Sequence, residues 1–362
     1  MINGWQSYFV SYIHRIGYKF KSGNVEGKIV NDRTLAVLEK YDLEVLRSWK
    51  GRGAILCETK TGIKILKEYK GSPERLVIQQ QMLKEIKKKG FCNVEEIIST
   101  KEGEVLVKDE EMNSYYLKDY FEGKECNIKE ISDCSKTAEK MAKIHKAMEL
   151  PEFVKEKEMN PYSLPLEYEK YNRELRHVKK YLKSKRQKNE FEYFLYQNFQ
   201  VFLQKAEQIL TEIKNDADFF SEEEMMKKGT LCHGDFQHHN VLFSGNEVSI
   251  INFEKYVLDH PMRDLSLFFR KMMEKHNWCE EIGRSILLSY HKVKPFSQED
   301  KVQLYYRLSY PEKFRKIVNF YYGASKVWIP VKNMEKLEKI LQQEKEKSMF
   351  LERFFKEEVL RK

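Results

Sequence analysis

The sequence predicts an α+β fold in two parts, a small antiparallel β-sheet that carries one helix and a larger, mostly helical part. The chain has 362 residues, which is too long for one small core. Short apolar runs separated by turn residues fill residues 41–121, whereas long amphipathic patterns dominate residues 122–362. We therefore expect a sheet-bearing part at 41–121, a helical part at 122–362 and an N-terminal extension at 1–40.

Strand and turn signals order the first part as three strands, one helix and two strands. The expected elements are a strand ending at Lys50, strands Ala54–Thr59 and Ile63–Tyr69, a helix from Pro73 to a stop at Gly90, and strands Glu104–Lys108 and Ser114–Phe121. Ser72 can cap the helix, since its hydroxyl can accept a hydrogen bond from a backbone N–H of the first turn. Pro73 is suited to the first helical position, where no N–H is needed.

Helical periodicity dominates the second part. The expected helices are Ile131–Met148, Leu166–Lys183, Asn189–Lys214 and a charged amphipathic helix over Asn333–Lys362. A shorter helix is expected earlier, at Thr34–Lys40. The pattern changes only at Leu231–Phe253, where short strands surround a polar loop.

The charge balance favours an anionic ligand. The chain has 65 basic and 56 acidic residues, with a formal net charge of +9. This mild excess suits a nucleotide, a phosphate or an acidic polymer. It is spread along the chain, so we expect no sequence-specific nucleic-acid contact. The densest basic run, Arg176–Lys188, is either a solvated helix face or a docking patch for an acidic partner.

Cysteine spacing and hydropathy exclude two classes of protein. The six cysteines form no C-x-x-C pair and follow no zinc-ligand rhythm. We therefore expect free thiols in a reducing compartment and no disulfide framework. The N-terminal residues do not follow a signal-peptide pattern, and no run of about 18 apolar residues could span a membrane. We expect synthesis in the cytoplasm and no membrane span.

The most informative segment is the polar loop that begins at His233. It carries Asp235 and, five residues later, Asn240. An Asp carboxylate can orient an attacking hydroxyl or accept its proton, and an Asn oxygen can ligate magnesium. The apolar runs that follow predict a hairpin across residues 244–246. That hairpin would return Asn252 to the neighbourhood of Asn240.

The segment His233-Gly234-Asp235-x-x-x-x-Asn240, followed by a hairpin and Ile251-Asn252-Phe253-Glu254, resembles the catalytic core of aminoglycoside and choline kinases. It is also similar to the H-R-D-x-x-x-x-N and D-F-G pair of protein kinases. The resemblance implies a bilobal protein-kinase-like fold that uses ATP and Mg²⁺. It further implies that Asp235 is the catalytic base and that Asn240 and Asn252 are metal ligands.

The same resemblance extends to the strands of the first part. Lys67, in Ile65-Leu66-Lys67-Glu68-Tyr69, is similar to the family's strand lysine that holds the nucleotide phosphates. Gly51 and Gly53 fall where the family has its phosphate-covering turn. Asp264 matches the aspartate of the family's G-x-P-x-x-D segment, which implies that it begins a helix and braces the catalytic loop. An ordinary N-cap is the alternative role for Asp264.

A looser set of residues resembles the CotS-type spore coat branch of this superfamily. The set comprises Asn252–Tyr256, Pro261-x-Arg263-Asp264-Leu265, Phe268-x-Arg270-Lys271, Asn277-Trp278, Leu308-Ser309-Tyr310-Pro311-x-Lys313-Phe314 and Tyr321-Tyr322. The resemblance spans roughly residues 34–345. It implies a location in the spore coat, with other coat proteins and nucleotide as partners.

Two departures from the family pattern affect the predicted metal and phosphate sites. Asn252 stands where active members carry Asp, so the position offers a neutral oxygen in place of a charged one, and Glu254 is the alternative ligand. The helix that should supply a glutamate for Lys67 has glutamines at 79–81, and the partner of Lys67 stays open. Of the nearby histidines, His233 is expected to bond loop backbone.

Three functions remain open from the sequence. The first is a kinase-like coat protein with an ATP-type cleft and weak or lost phosphotransfer. The second is an active ATP-dependent phosphotransferase on a small molecule or a coat protein, with Asp235 orienting the acceptor hydroxyl. The third is a structural module for coat assembly. The first two predict nucleotide binding, and only the second predicts that Asp235→Asn abolishes turnover.

Overall fold

The structure of the protein is a computed structural model that describes residues 36–51, 53–91, 93–149, 160–323 and 330–356. Most of the predicted N-terminal extension, including the first two residues of its predicted helix Thr34–Lys40, therefore lies outside the described residues. The chain forms a helical turn at 36–38.

Strands predominate at the start of the described chain, and helices predominate from residue 131 onward. The strands are β1 (Val45–Lys50), β2 (Ile55–Thr59), β3 (Gly62–Glu68), β4 (Ile97–Ile98), β5 (Val107–Lys108), β6 (Ser114–Asp119), β7 (Lys124–Glu125), β8 (Thr230–Cys232), β9 (Val241–Ser244), β10 (Glu247–Ile250) and β11 (Val257–Asp259). The helices are α1 (Pro73–Lys88), α2 (Ile131–Ala147), α3 (Leu164–Ser184), α4 (Glu190–Asn215), α5 (Glu222–Lys228), α6 (Met262–Met273), α7 (Glu280–Val293), α8 (Gln298–Ser309), α9 (Glu312–Gly323) and α10 (Pro330–Leu351).

The chain divides into two compact units. The first contains the described residues up to Cys126 together with His238–Glu254. The second contains Asn127–Gln237 and the described residues from Lys255 onward. The hairpin β9–β10 thus belongs to the first unit by its contacts. The sequence-based boundaries at residues 40 and 121 stay a prediction.

A twisted antiparallel sheet with the strand order β1-β2-β3-β6-β4 is the centre of the first unit, and β5 pairs with β6. Lys67 lies opposite Tyr116 and Ile65 lies opposite Lys118 across the β3–β6 pair. Side chains alternate along a strand, so Lys67, Tyr116 and Lys118 share one face of the sheet. The other face carries Leu66 into a buried apolar cluster.

Local sequence signals account for the elements around this sheet. Ser72 caps α1, since its Oγ accepts a hydrogen bond from the backbone N–H of Arg75 at 3.3 Å, and Pro73 begins the helix. The hairpin β9–β10 turns at Gly245, whose φ of 59° lies in the left-handed region that glycine adopts readily. Strand β7 pairs with β9 to complete a second sheet of three strands.

The second unit is a helical assembly around an aromatic core. Tyr168 stacks on Tyr310 with ring centroids 3.9 Å apart. Phe202 stacks on Phe314 at 4.4 Å. Such aromatic pairs bury large apolar areas and contribute a large share of core stability. Asn189 begins α4 through a reciprocal capping box, as its sequence signature indicates.

The predicted α+β class and the order of the larger elements are confirmed, with differences at the short strands. The predicted strand Glu104–Lys108 is reduced to β5, β8 is a short strand at the start of the predicted polar loop, and β4, β7 and β11 were not predicted. These strands have two or three residues, too few to show a periodic pattern. Among the described residues, no helix combines the length and hydropathy that crossing a membrane requires.

Candidate functional site

Lys118 is the centre of a buried charge cluster in the first unit. Its side chain is only 2% exposed, although it carries an ammonium group. Its Nζ donates hydrogen bonds to Glu95 Oε2 at 2.9 Å, Asn252 Oδ1 at 2.9 Å and Glu254 Oε1 at 3.1 Å. Burial would lower the pKa of Lys118, but Glu95 and Glu254 raise it above its usual value. All three of its protons therefore have acceptors inside the protein.

The turn that presents Asn252 is held by Glu95. Asn252 follows β10 and has a φ of 68°, a left-handed conformation that asparagine adopts more readily than most residues. The Glu95 carboxylate accepts hydrogen bonds from the backbone N–H of Asn252 at 3.0 Å and of Phe253 at 3.2 Å. Glu95 thus binds both the turn and the ammonium of Lys118. Its side chain is 1% exposed.

Glu254 is the partner of Lys67, which the sequence had left open. Glu254 Oε1 lies 2.7 Å from Lys67 Nζ and accepts a hydrogen bond from Tyr116 Oη at 2.8 Å. Burial would raise the pKa of Glu254, but Lys118 and Lys67 hold it far below its usual value. The carboxylate is therefore ionised at neutral pH.

The glutamines of helix α1, which stand where a glutamate partner for Lys67 was expected, have other roles. Gln80 donates hydrogen bonds to the carbonyl oxygen of Ile97 at 2.8 Å and to Ser99 Oγ at 2.9 Å. Gln79 is fully buried. The ion pair of Lys67 is made with the segment after β10, not with a helix residue.

The two predicted metal ligands of the first unit lie together, as expected from the hairpin. Asn252 Nδ2 donates to Asn240 Oδ1 at 3.0 Å. Asn240 Oδ1 thus accepts a hydrogen bond from Asn252, and Asn252 Oδ1 accepts one from Lys118. Both amide oxygens that could ligate a cation are engaged within the protein.

This group of residues does not fit a magnesium ion. Magnesium in phosphoryl-transfer sites is held by one or two carboxylates together with phosphate oxygens and water. Here Glu95 and Glu254 supply two negative charges, and Lys67 and Lys118 supply two positive charges. The cluster is balanced without a metal, and a divalent cation would meet the ammonium of Lys118 beside Asn252.

Gly51 and Gly53 form the turn between β1 and β2. The backbone N–H of Gly51 donates to the carbonyl oxygen of Ala54 at 2.8 Å. A Cβ at position 51 would collide with the side chain of Leu56, and Gly53 has a φ of 67°. The two glycines have clear roles in shaping this turn. Their contact with phosphate stays a prediction.

Asp235 lies in the second unit and is held by two neighbours. Its Oδ2 is 2.9 Å from Lys255 Nζ, and its Oδ1 accepts a hydrogen bond from the side-chain amide of Gln237. Burial would raise the pKa of Asp235, but the hydrogen bonds from Lys255 and Gln237 outweigh it and hold the pKa below its usual value. This carboxylate is ionised and can orient a hydroxyl.

Asp264 braces the Asp235 loop, as the resemblance implied. Its carboxylate accepts hydrogen bonds from the backbone N–H of His233 at 2.6 Å and of Gly234 at 2.9 Å. Gly234 has a φ of 77°, and a Cβ there would collide with the carbonyl oxygen of Lys255. His233 Nδ1 accepts a hydrogen bond from the backbone N–H of Asp235 at 3.2 Å. The loop is therefore fixed through its backbone.

Behind this loop, His145, Cys232 and Asp264 each place a potential ligand atom within 4.8 Å of the others. His145 contacts Tyr290 Oη at 2.8 Å through Nδ1 and Asp264 Oδ2 at 3.3 Å through Nε2. Burial raises the pKa of the Cys232 thiol well above its usual value. A neutral thiol and two groups already bonded within the protein form a structural brace, not a metal centre.

Sequence reasoning missed the roles of Lys118, Glu95 and Lys255. For Lys118 a signal existed, because it follows Tyr116 by two residues in a strand next to Lys67. Lys255 stands directly after the recognised motif. Glu95 lies in an irregular segment between α1 and β4, and no spacing rule connects it to the loop that it holds.

Comparison with known proteins agrees with this fold. An aminoglycoside phosphotransferase from Alicyclobacillus acidocaldarius has 18% sequence identity, a TM-score of 0.76 and coverage of 91% of this chain and 96% of its own. Spectinomycin phosphotransferase in complex with ADP and spectinomycin has 14% identity, a TM-score of 0.61 and coverage of 87% of this chain and 94% of its own. The predicted bilobal, protein-kinase-like fold class is confirmed.

Curated relatives and a family description agree with the predicted branch. Spore coat protein S of Bacillus subtilis strain 168 is 25% identical over 318 residues, which is 84% of this chain and 87% of that protein. Endospore coat-associated protein YutH of the same strain is 30% identical over 112 residues, covering 30% of this chain and 32% of that protein. The family description that matches residues 35–354 is "Spore coat putative kinase YutH". This match covers most of the sequence, and the chain therefore belongs to the spore coat putative kinase YutH family.

Proposed function

We propose that this chain is a spore coat protein of kinase-like fold in which magnesium-dependent phosphotransfer has been lost. The coat location is supported by the family and by the relative named Spore coat protein S, which aligns over 84% of the chain. We propose other coat proteins as the partners of this chain. The charge cluster of the first unit supports the loss of phosphotransfer.

One observation carries the proposal: the ammonium of Lys118 is bonded to Asn252 Oδ1 at 2.9 Å. In the kinases that this chain resembles, the position equivalent to 252 bears the charged ligand of the metal. Here the position is neutral, and a protein cation already lies against it. A magnesium ion at Asn252 Oδ1 would take one of the three acceptors from the buried ammonium of Lys118 and would place a second cation beside it. Both changes are unfavourable in a buried site.

Charge balance supports the same conclusion for the phosphates. Two ammoniums face two carboxylates in the cluster, so the charges of Lys67 and Lys118 are already balanced within the protein and are not free for a triphosphate. An aspartate at position 252 would give the cluster a net negative charge, which attracts a divalent cation. The present sequence removes that attraction.

The test is thermal unfolding of the full chain with ATP, in excess magnesium and, separately, in excess EDTA. A ligand at about 100 times its dissociation constant stabilises by about 2.7 kcal/mol, which is readily detected. We expect magnesium to add no stabilisation to that given by ATP alone. A magnesium-dependent rise in Tm that disappears in Lys67→Ala would contradict the proposal.

A matched double variant sharpens this test. Asn252→Asp with Lys118→Met gives the cluster three carboxylates against the single ammonium of Lys67. We expect magnesium alone to raise the Tm of this variant and not that of the unmodified chain. If both respond equally to magnesium, the Lys118 contact does not control metal binding.

An active phosphotransferase is the second candidate, favoured by the arrangement of Asp235. Its carboxylate is ionised and its loop is braced by Asp264. Turnover of ATP with magnesium is measured for the unmodified chain and for Asp235→Asn. We expect equal, background rates. A rate that is well above background and is lost in Asp235→Asn would establish the second candidate instead.

A further inference from the structure

A group of basic side chains extends across α6, α9 and α10 of the second unit. The group, here called the α6–α9–α10 basic surface, comprises Lys271, Lys313, Lys316, Lys336 and the buried Arg270. These residues are not part of the densest basic run in the sequence. Helix geometry and packing bring them together from positions up to 66 residues apart.

The carboxylates near this surface are too few to balance it. Glu274 accepts from Arg270 at 2.5 Å and from Lys313 at 3.1 Å. Glu312 lies 3.2 Å from Lys316 Nζ and also accepts both hydrogen bonds of Arg315. Each carboxylate is thus shared by two cations. The surface retains a surplus of positive charge.

Among the described residues, Lys271 is the clearest example of a cation in this surface that lacks a carboxylate at ion-pair distance. Its Nζ donates to the side-chain oxygen of Gln237, which is a neutral acceptor. Within the described part of the chain, no carboxylate oxygen lies at ion-pair distance from Lys271. Burial lowers its pKa to about 8, and repulsion by Arg270 and Lys316 contributes in the same direction, while the attraction of Asp235 is too weak to offset them. An anion placed here would restore the ordinary protonation of this lysine.

The remaining lysines are coupled to one another and accessible. The side chains of Lys313 and Lys316 are 38% and 47% exposed. Burial, and after it the neighbouring Lys313, lowers the pKa of Lys336. Lys336 also lies 5.4 Å from the ring centroid of Phe320, which is 47% exposed. The surface therefore combines cations that repel one another with an exposed aromatic ring.

We propose that the α6–α9–α10 basic surface docks an acidic segment of a partner polypeptide. Charge complementarity carries the proposal, since several coupled cations across three helices match a multivalent anion better than a single one. A polypeptide is favoured over nucleic acid because the acceptors already seated among these cations, Glu274 and Glu312, are carboxylates. The exposed ring of Phe320 can also cover an apolar side chain of the partner.

The experiment measures binding of a fluorescein-labelled decaglutamate peptide to the full chain by fluorescence anisotropy at low ionic strength. The test variant is Lys313→Gln with Lys316→Gln. Glu274 keeps Arg270 and Glu312 keeps Arg315 in this variant, so we expect it to fold, which circular dichroism checks. We expect the dissociation constant to rise at least fivefold.

The control removes the same charge from the basic run on α3. Lys180→Gln with Lys183→Gln changes two exposed lysines outside the surface. We expect less than a twofold effect on decaglutamate binding. Equal losses in the two double variants, or no binding by the unmodified chain, would overturn the proposal.

Two competitors separate an acidic polypeptide from other anions. Inorganic phosphate at millimolar concentration is expected to displace little peptide beyond the effect of an equal ionic strength of chloride. A single-stranded oligouridine of equal charge is expected to bind at least tenfold more weakly than decaglutamate. Binding of oligouridine as tight as that of the peptide, lost in the same Lys313→Gln, Lys316→Gln variant, would overturn the assignment in favour of nucleic acid. Displacement by millimolar phosphate would overturn it in favour of a small anion.

Discussion

The Lys118 cluster and the Asp235 loop contain the two halves of one kinase-like motif, yet they satisfy their charges in different ways. Asp235 pairs with Lys255, whose side chain is 70% exposed, so water shares in that interaction. Lys118 is 2% exposed and depends entirely on Glu95, Asn252 and Glu254. An exposed pair contributes about 1 kcal/mol or less, whereas a broken buried pair costs several.

This difference shows that the two halves of the motif are held by different interactions. The Asp235 loop is fixed by backbone contacts to Asp264, which do not depend on any metal. At the Lys118 cluster, the ammonium balances buried carboxylates and donates a hydrogen bond to the neutral Asn252. The charges of this cluster are therefore satisfied within the protein.

The largest expected effect is that of Lys118→Met. The substitution keeps the length of the side chain but leaves Glu95 and Glu254 without their shared ammonium. We expect a loss of about 3–5 kcal/mol in the free energy of unfolding, the usual cost of breaking a buried pair from one side. Urea denaturation monitored by circular dichroism measures it.

Lys64→Met is the matched control for that substitution. Lys64 pairs with Asp119 at 2.8 Å on the same sheet, with 13% of its side chain exposed. Because Asp119 also lies near Lys87, we expect a loss of about 1 kcal/mol or less. If the two variants lose equal stability, the Lys118 cluster is not the exceptional site described above.

The sequence predicted the scaffold of both regions better than their charges. The hairpin spacing correctly brought Asn252 to Asn240, since β9 and β10 are short alternating strands across a glycine turn. Asp264 was likewise placed at the loop by a motif with fixed spacing. Such local patterns follow from backbone geometry, which sequence periodicity reports directly.

The long-range ion pairs could not be read from the sequence in the same way. The contact between Lys67 and Glu254 joins residues 187 positions apart. Glu95 and Asn252, which are also hydrogen-bonded, are 157 positions apart in the sequence. No periodicity connects such residues, and a chain with 56 acidic residues offers many alternative partners. Only the folded register of β3 and β6 identifies which carboxylates face the two lysines.

The Asp235 region is tested by Asp264→Asn, with an expected effect of intermediate size. Asn keeps the shape of the side chain but removes the charge that accepts the N–H groups of His233 and Gly234. The NH2 group of the new amide would then face one of these backbone N–H groups, and two donors cannot form a hydrogen bond with each other. We expect a loss of about 2 kcal/mol, because the hydrogen bonds to a buried charge are weakened or lost.

Hydrogen exchange identifies the part of the chain that loses stability in Asp264→Asn. We expect faster exchange in peptides that cover residues 230–237 and unchanged exchange in peptides that cover β3 and β6. Asp133→Asn is the control, because Asp133 also accepts a backbone N–H, from Asn127 at 3.1 Å, but at an exposed position. It should change stability by no more than about 0.5 kcal/mol. Faster exchange throughout the chain in Asp264→Asn would mean that the brace supports the whole protein and not the loop alone.

The smallest expected effect, that of Lys67→Met, separates the two lysines that share Glu254. Lys67 lies 2.7 Å from Glu254, closer than Lys118 does, yet its side chain is 37% exposed. In Lys67→Met, Glu254 keeps its contacts with Lys118 and Tyr116, so no buried charge is left alone. We expect a loss of about 1 kcal/mol or less in the same urea experiment. A loss as large as that of Lys118→Met would mean that burial does not set the strength of these pairs. Lys67 would then be as much a structural cation as Lys118, and the lysine that the kinase resemblance assigns to phosphate would be committed to holding the fold.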